Sequence, residues 1–279
     1  MQNIEPITFS GLTGNENNTW QRPTSFAFVN ELSYLPLSDS ELLLTCHYLP
    51  IAIDYVDDAL QVVALTMPRF QRSPLINLKG QWQRPYLPIA LRCLPFRASP
   101  GTMAEELEMA NNLDKADHPK IPIFTEDGSL SPEVEKIKAL LRRLEQGKRA
   151  LQKAAEKLLI AGVLTPFQMA RITGTAEVCS PALTIDRNKF EALSHVRAAH
   201  LVTDGFLAVD IAAACIFSQR LLPHLISVVV DPVDKSQSAL ANGTDEYLTG
   251  LKAQVHVDGS ELFPFELFKK MSCRHDEKD

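Results

Sequence analysis

The spacing of hydrophobic and polar positions changes near residue 130, and this change predicts two kinds of structure. Before it, short apolar runs alternate with polar residues, as in "IAIDYVDDALQVVALTMP", which predicts strands over 50–55 and 60–67. The acidic residues at 56–59 predict the turn between them. After it, apolar residues recur at steps of three and four over 132–161, a spacing typical of an amphipathic helix.

The ends of this long helix are marked by residues that favour helix termini. Ser131 is a good N-cap, Pro132 is tolerated at the first helical position, and Glu133 suits the positive end of the helix dipole. Gly162 is a natural terminator. Gly147 interrupts the apolar stripe, which indicates either a kink or the end of a first half.

Weaker patterns predict the remaining elements. They are a helix that begins at Ser38 or Asp39, a hairpin with Lys79 and Gly80 at its tip, a helical turn in "TMAEELEMANNL", a strand that reaches Phe124, a short helix in "LTPFQMARI", a strand followed by a helix from Asp186, a buried helix over 205–225, and a strand from Ile226.

Together these elements predict an α+β protein in which an antiparallel, β-rich N-terminal half packs against a mostly helical C-terminal half. The β-rich part runs to about residue 125 and the helical part begins near Pro132. Strands in meander order, without a helix between each pair, argue against a doubly wound parallel sheet. We predict a polar leader over 1–22, a main domain over 23–225 and an acidic C-terminal extension over 226–279.

Composition and charge narrow the classes of function. The chain has 45% hydrophobic and 22% charged residues, which is ordinary for a globular protein, and its net charge is −6. We expect no nucleic-acid partner, because there is no basic stripe. The five cysteines are scattered without a C-x-x-C pair, which favours reduced thiols.

The same reading predicts where the chain resides. The N-terminus has neither a basic segment nor an apolar core typical of a secretion signal. The most apolar window, 205–217, contains Asp210 and is too short to span a bilayer. We therefore expect no transmembrane segment and a cytoplasmic location, with a signal-independent route to the cell surface as the alternative.

The stretch "GQWQRPYLPIALRCLPF" at 80–96 concentrates aromatic, proline and arginine residues. Gly80 suits a tight turn, and Pro85 and Pro88 lack the amide hydrogen that a central strand needs. Pro88 fits the first position of a short helix that stops before Pro95. The stretch therefore reads as a strand end, a turn and a helix start.

Five side chains of this stretch are the candidate binding residues: Trp82, Arg84, Tyr86, Arg92 and Phe96. Aromatic rings beside arginine can stack and hydrogen-bond an anionic or aromatic ligand, and the same residue types hold protein interfaces together. A purely structural role is the third interpretation. In that case Arg92 pairs with Asp127 or Asp186.

The order of these motifs resembles the bacterial SapC family over about residues 23–225. The matching positions are Gly80, Trp82, Tyr86, Pro88, Arg92, Pro95 and Phe96, then Phe124, Asp127 and Gly128, and then Ile185, Asp186, Lys189 and Leu193. The family takes its name from a gene in a surface-layer cluster. The resemblance implies no catalytic residues, because most members have no assigned activity.

We therefore expect a non-catalytic accessory or binding protein that acts through a protein partner and is linked to the cell surface or envelope. The alternatives are a small-molecule-binding protein or enzyme with an unrecognised site, and a structural surface-layer component. We predict no cofactor and no metal, since His195 and His200 are five residues apart and His47 reads as a core or edge residue. The oligomeric state stays open.

Overall fold

The structure is a computed structural model that describes residues 7–12, 19–111, 113, 120–170, 176–224 and 226–228. The chain divides into two compact units, Met1–Asp231 and Pro232–Asp279. Every described residue belongs to the first unit. Most of the predicted acidic extension therefore lies outside the described residues.

The described elements follow in chain order. The strands are β1 Phe9–Gly11, β2 Thr19–Trp20, β3 Tyr34–Pro36, β4 Ile51–Val56, β5 Ala59–Leu65, β6 Phe96–Ala98, β7 Leu107–Ala110, β8 Ile121–Pro122, β9 Leu164–Ala170, β10 Ala176–Ile185 and β11 Ile226–Val228. The α-helices are α1 Leu42–Thr45, α2 Ile89–Arg92, α3 Pro132–Ala161, α4 Arg187–Glu191, α5 His195–Leu201 and α6 Leu207–Ser218. Short 3-10 helices lie at Ala27–Glu31, Asp39–Glu41, Pro68–Phe70 and Gln219–Leu221.

A six-stranded antiparallel sheet forms the centre of the molecule, with strand order β11-β9-β10-β4-β5-β3. The predicted hairpin of β4 and β5 is confirmed, and Ile53 pairs with Val62 in its register. Its turn places Asp57 and Asp58 at φ angles of 50° and 61°. Aspartate tolerates this left-handed region better than most residues, which explains why an acidic pair occupies the turn.

Two smaller sheets lie outside the central one, in the orders β1-β7-β6 and β2-β8. Both β1 and β2 belong to the segment 1–22, for which the sequence predicts a polar leader, and Trp20 of β2 is buried. Its indole meets Phe96 edge to face, with 5.3 Å between the ring centroids. These sheets contribute to a hydrophobic cluster separate from that of the central sheet.

The long helix α3 connects the two clusters. Its first half buries Val134, Ile137, Leu141 and Leu144 in the cluster of the small sheets, and its second half buries Leu151, Ala154, Ala155, Leu158 and Ala161 against the central sheet. The helix is continuous through Gly147, so the expectation that a first half ends there is wrong. Gly147 instead allows a close approach, because a Cβ there would lie 2.1 Å from Ser38 Oγ and 2.7 Å from the Asp39 amide nitrogen.

Both predicted ends of α3 are confirmed. Ser131 occupies the N-cap position and Pro132 the first turn. At the other end Gly162 adopts a φ of 74°, the left-handed conformation that commonly ends helices. The side-chain hydroxyl of Ser131 makes no capping bond, although it is buried.

Two local predictions are wrong, and both concern short segments that pair with distant partners. The segment "LTPFQMARI" contributes β9 instead of a helix, because it lies between β10 and β11 and buries Phe167. The segment "TMAEELEMANNL" contributes β7 instead of a helical turn. Met103 and Ala104 have positive φ angles of 52° and 61°, which a right-handed helix cannot include.

The predicted fold class is confirmed, since antiparallel sheets dominate the first half and helices the second. The second half also supplies β9, β10 and β11 to the central sheet. The domain boundaries at residues 22 and 225 stay predictions. Among the described residues, no helix combines the length and the apolar character that crossing a membrane would require.

Candidate functional site

The stretch "GQWQRPYLPIALRCLPF" folds as a turn followed by a short helix. A bridge pairs Ile76 with Trp82, and Gly80 closes the turn between them with a φ of 75°. A Cβ on Gly80 would lie 2.1 Å from Ser25 Oγ, so any other residue would displace this serine and strain the backbone. The predicted short helix is confirmed as α2, with Pro88 just before it.

A buried glutamate outside the stretch holds it in place. Glu41 is 2% exposed, and its Oε2 accepts hydrogen bonds from the Tyr86 hydroxyl and the Ile89 amide, each at 2.8 Å. Its Oε1 accepts a bond from the Ser38 amide at 3.1 Å, as part of a capping box. The sequence reasoning missed Glu41, although the Ser-x-x-Glu spacing is a signal that could have identified it.

Trp82 and Arg92 both contact Tyr86, the residue whose hydroxyl bonds this carboxylate. The indole Nε1 of Trp82 donates to the Tyr86 carbonyl at 2.8 Å. Arg92 Nη2 donates to the Tyr86 hydroxyl at 3.3 Å, and the guanidinium lies 5.6 Å from the centroid of the tyrosine ring. Burial and the nearby Glu41 carboxylate raise the pKa of Tyr86 above its usual value. The tyrosine is therefore a neutral hydrogen-bond donor at physiological pH.

The other two candidate binding residues lie apart from this group. Both hydrogen bonds of Arg84 go to Ser73, to its carbonyl at 2.8 Å and its hydroxyl at 3.0 Å, and burial lowers the pKa of this guanidinium. Phe96 is a core residue with 1% exposure and packs against Trp20. The five candidates therefore do not line one groove.

The motif residues are explained by local structure. The Leu94–Pro95 peptide bond is cis and precedes β6. Gly128 has a φ of 82° in the turn where Asp127 accepts bonds from the hydroxyls of Thr125 and Ser129. These bonds lower the pKa of the Asp127 carboxyl to about 2.

The proposed pairing of Arg92 with an aspartate is wrong. Asp186 caps α4, since its Oδ1 accepts the amides of Asn188 at 2.9 Å and Lys189 at 3.2 Å. Asp127 is used by its own turn, and the described ion pairs include none between Arg92 and either carboxylate.

A pocket of about 380 Å³ opens beside the end of α2, and we call it the cationic pocket. It is lined by Arg22, Arg92, Lys136, Glu133, Trp20 and Ile121, together with Ile137 and Leu140. Three of its side chains are cations and one is an anion. Arg92 connects it to the cluster around Tyr86 and Glu41, because its guanidinium contacts the tyrosine and also lines the pocket.

A second pocket, of about 550 Å³, lies on the other side of α2 and is mostly apolar. Its walls include Phe9, Phe28, Leu91, Leu94 and Arg97. The Arg97 guanidinium covers the Phe9 ring at 4.0 Å and pairs with Glu108 at 2.6 Å. Its charge is therefore already neutralised within the protein.

The described residues contain no group of three His, Cys, Asp or Glu side chains arranged to hold a metal ion. His47 is exposed, and its ring meets Phe217 edge on at 4.8 Å between centroids. Burial raises the pKa values of the Cys93 and Cys215 thiols to about 12. At neutral pH these thiols stay protonated, a state in which a cysteine is a poor nucleophile.

Exposed apolar side chains lie at the end of α3, on α5 and just before α6. We call this the α5 surface, and its members are Ile160 (71% exposed), Val196 (81%), Val202 (37%) and Phe206 (70%). Lys157 ties the elements together, because its ammonium bonds Thr203 at 3.1 Å and Asp204 at 2.8 Å. Only Leu201 of α5 is buried.

Comparison with known proteins identifies the family of this chain. No curated protein and no solved structure gives a significant match to the chain. The model of the SapC family matches residues 15–225, which is most of the chain and includes α2, the Glu41 cluster and the cationic pocket. The chain belongs to the SapC family.

Proposed function

We propose that this chain is a non-catalytic accessory protein that binds a protein partner through the α5 surface. The observation that carries the proposal is the exposure of Val196 and Phe206, at 81% and 70%, on neighbouring elements. Complete burial of one such side chain contributes about 1.5–3 kcal/mol. Several of them together on one surface are typical of an interaction site.

The charges around the α5 surface indicate the chemistry of the partner. His195, Arg197 and His200 are exposed on α5, and Arg197 makes no ion pair within the described part of the chain. Asp204 is already paired with Lys157. We infer a partner segment that places apolar side chains on this surface and carboxylates at its rim, because complementary charges steer association.

The non-catalytic part of the proposal rests on the chemistry of the titratable groups. The groups whose pKa is most raised, Tyr86, Cys93 and Cys215, are all held in their neutral form by burial. General acid–base catalysis needs a group poised to exchange a proton near neutral pH, and these three groups are not poised in this way. The hydrogen bonds of Glu41 join segments of the fold and are consistent with a structural role.

We further propose a cytoplasmic location and a link to an envelope or surface-layer process. Cys46, Cys93 and Cys215 are buried free thiols, which are typical of a reducing compartment. The envelope link follows from the surface-layer gene cluster after which the family is named.

A comparison of tagged full-length variants purified from the native host tests the proposal. The double variant Val196→Ser/Phe206→Ser removes two strongly exposed apolar side chains of the α5 surface. Serine at 206 is also a favourable N-cap for α6, so the helix keeps its start. The matched control is Leu78→Ser, which removes an exposed apolar side chain far along the sequence, in the turn before Gly80.

The expected result is a stoichiometric protein partner, identified by mass spectrometry, that co-purifies with the wild type and with Leu78→Ser. We expect the double variant to lose it while keeping the wild-type thermal unfolding midpoint. Retention of the same partner by the double variant would overturn the proposal. Size-exclusion chromatography with light scattering distinguishes a second copy of the chain from a different partner.

A further inference from the structure

The charge of the cationic pocket is unusual for this chain. The whole protein carries a net charge of −6, yet Arg22, Arg92 and Lys136 converge on one pocket, where Glu133 is the one acidic residue among the described lining residues. These residues come from three separate segments, so no single helix accounts for the concentration. Like charges that face one cavity repel one another unless an anion occupies it.

None of the three cations of this pocket forms an ion pair within the described part of the chain. The side chains of Arg22 and Lys136 make no hydrogen bond or ion pair with described residues. The hydrogen bond of Arg92 goes to the Tyr86 hydroxyl, which is neutral. The apolar pocket on the other side of α2 differs in this respect, since its Arg97 is paired with Glu108 at 2.6 Å. The cationic pocket therefore presents available positive charge.

The rest of the lining is apolar. Trp20 and Ile137 are 4% and 5% exposed, and Ile121 and Leu140 complete the wall. A site for a simple inorganic anion would be small and polar. At about 380 Å³ this pocket falls in the range of small-molecule sites, which are mostly apolar with a few polar groups.

An unpartnered donor is a second, independent observation at the same place. The Trp20 indole is almost completely buried in the pocket wall, and its Nε1 has no hydrogen-bond partner in the part of the chain that the structure describes. Buried polar groups are usually satisfied, so a missing partner calls for an explanation. A ligand oxygen is one acceptor that would satisfy this donor.

From these observations we propose that the cationic pocket binds a small organic anion, with a carboxylate or phosphate head and an apolar body. The head lies between Arg22, Arg92 and Lys136, where a guanidinium can bind two anionic oxygens at once. The body packs on Trp20 and Ile137. The proposal is independent of the partner bound at the α5 surface.

Isothermal titration calorimetry on the full-length chain tests it with three probes that each have eight carbons: octanoate, octyl phosphate and 1-octanol. We expect saturable 1:1 binding of octanoate, octyl phosphate or both, with 1-octanol at least about tenfold weaker. A preference between the two anions identifies the head group. Absence of saturable binding by both anions, or equal affinity for 1-octanol, would overturn the proposal.

Charge-removing variants locate the binding. Arg22→Gln and Lys136→Gln are each expected to weaken binding about fivefold or more, because each removes a charge that faces the ligand. The matched controls are Arg149→Gln and Lys138→Gln, which remove the same charges from α3 outside the pocket. If the control variants lose as much affinity, the weaker binding results from the change in net charge, and the proposed site is refuted.

Tryptophan fluorescence reports whether the ligand binds next to Trp20. The chain has two tryptophans, so Trp82→Phe leaves Trp20 as the reporter in the pocket wall. We expect the emission of Trp20 to shift with the same midpoint that calorimetry gives for octanoate. Binding without any change in this emission would place the ligand elsewhere.

Discussion

The substitution Gly147→Ala separates helix propensity from tertiary packing, because the two predict opposite signs. Alanine in the interior of a helix is favoured over glycine by about 1 kcal/mol. Propensity alone therefore predicts that the substitution stabilises α3. The structure predicts the reverse, since α3 packs at Gly147 against the turn that carries Ser38, Asp39 and Glu41.

The geometry at this contact determines how much stability the substitution should cost. The new Cβ would lie 2.1 Å from Ser38 Oγ, 2.6 Å from Asp39 Oδ1 and 2.7 Å from the Asp39 amide nitrogen. Side-chain atoms can rotate away, but the amide nitrogen moves only if the whole turn shifts. Overpacking of this kind costs about 1–3 kcal/mol. The shift also disturbs the Ser38 hydroxyl bond to the Arg143 carbonyl, which contributes about 1 kcal/mol.

We therefore expect Gly147→Ala to lower the free energy of unfolding by about 1–3 kcal/mol after its gain in propensity. Urea unfolding followed by circular dichroism measures this as a lower midpoint at an unchanged slope. The control is Gln146→Ala, an exposed neighbour on the same helix, with a change within about 0.5 kcal/mol. A Gly147→Ala variant as stable as the wild type, or more stable, would refute the packing argument.

Three further predictions concern the site and its surroundings. Tyr86→Phe should lower the free energy of unfolding by about 2 kcal/mol, because it removes a bond to a buried carboxylate, whereas Tyr55→Phe, which alters an exposed ring, should not. Equal stability of the two variants would contradict this. With serine at the other cysteine positions, Cys93 and Cys215 should resist a thiol reagent at pH 8 until urea unfolds the chain, because burial raises both pKa values to about 12. Rapid native labelling would show otherwise. NMR titration should place the Asp127 pKa at about 2, so its contribution to stability is present above about pH 4 and lost as the pH falls toward 2. A titration near the usual value would count against the hydrogen bonds of this turn.

Several features follow from local sequence because the forces behind them act between near neighbours. Ser131 and Pro132 begin α3 and Gly162 ends it, since caps and backbone preferences depend on residues within one turn. The β4–β5 hairpin follows from alternation and from Asp57 and Asp58 at its turn. The capping box of Ser38 and Glu41 is equally local, and the pattern was visible in the printed sequence.

Other features depend on segments that meet only in the folded chain. The segment of β9 has a helix-like composition, yet it becomes a strand because β10 and β11 offer hydrogen bonds on both sides. The aromatic and arginine residues at 80–96 are close neighbours in the sequence, which made them candidates for one binding site. In the structure Arg84 hydrogen-bonds Ser73, and Phe96 is buried in the core.

By itself the sequence determined the fold class, the long helix, its caps and the family, because these rest on periodicity, short-range capping and the order of motifs. Tertiary structure alone decided the role of Glu41, whose carboxylate meets Ile89 across 48 positions of sequence. The tertiary structure also forms the cationic pocket, because it brings together Arg22, Arg92 and Lys136 from distant segments. The physical reason is that charge and hydrogen bonding act through space, and only folding brings such groups within range.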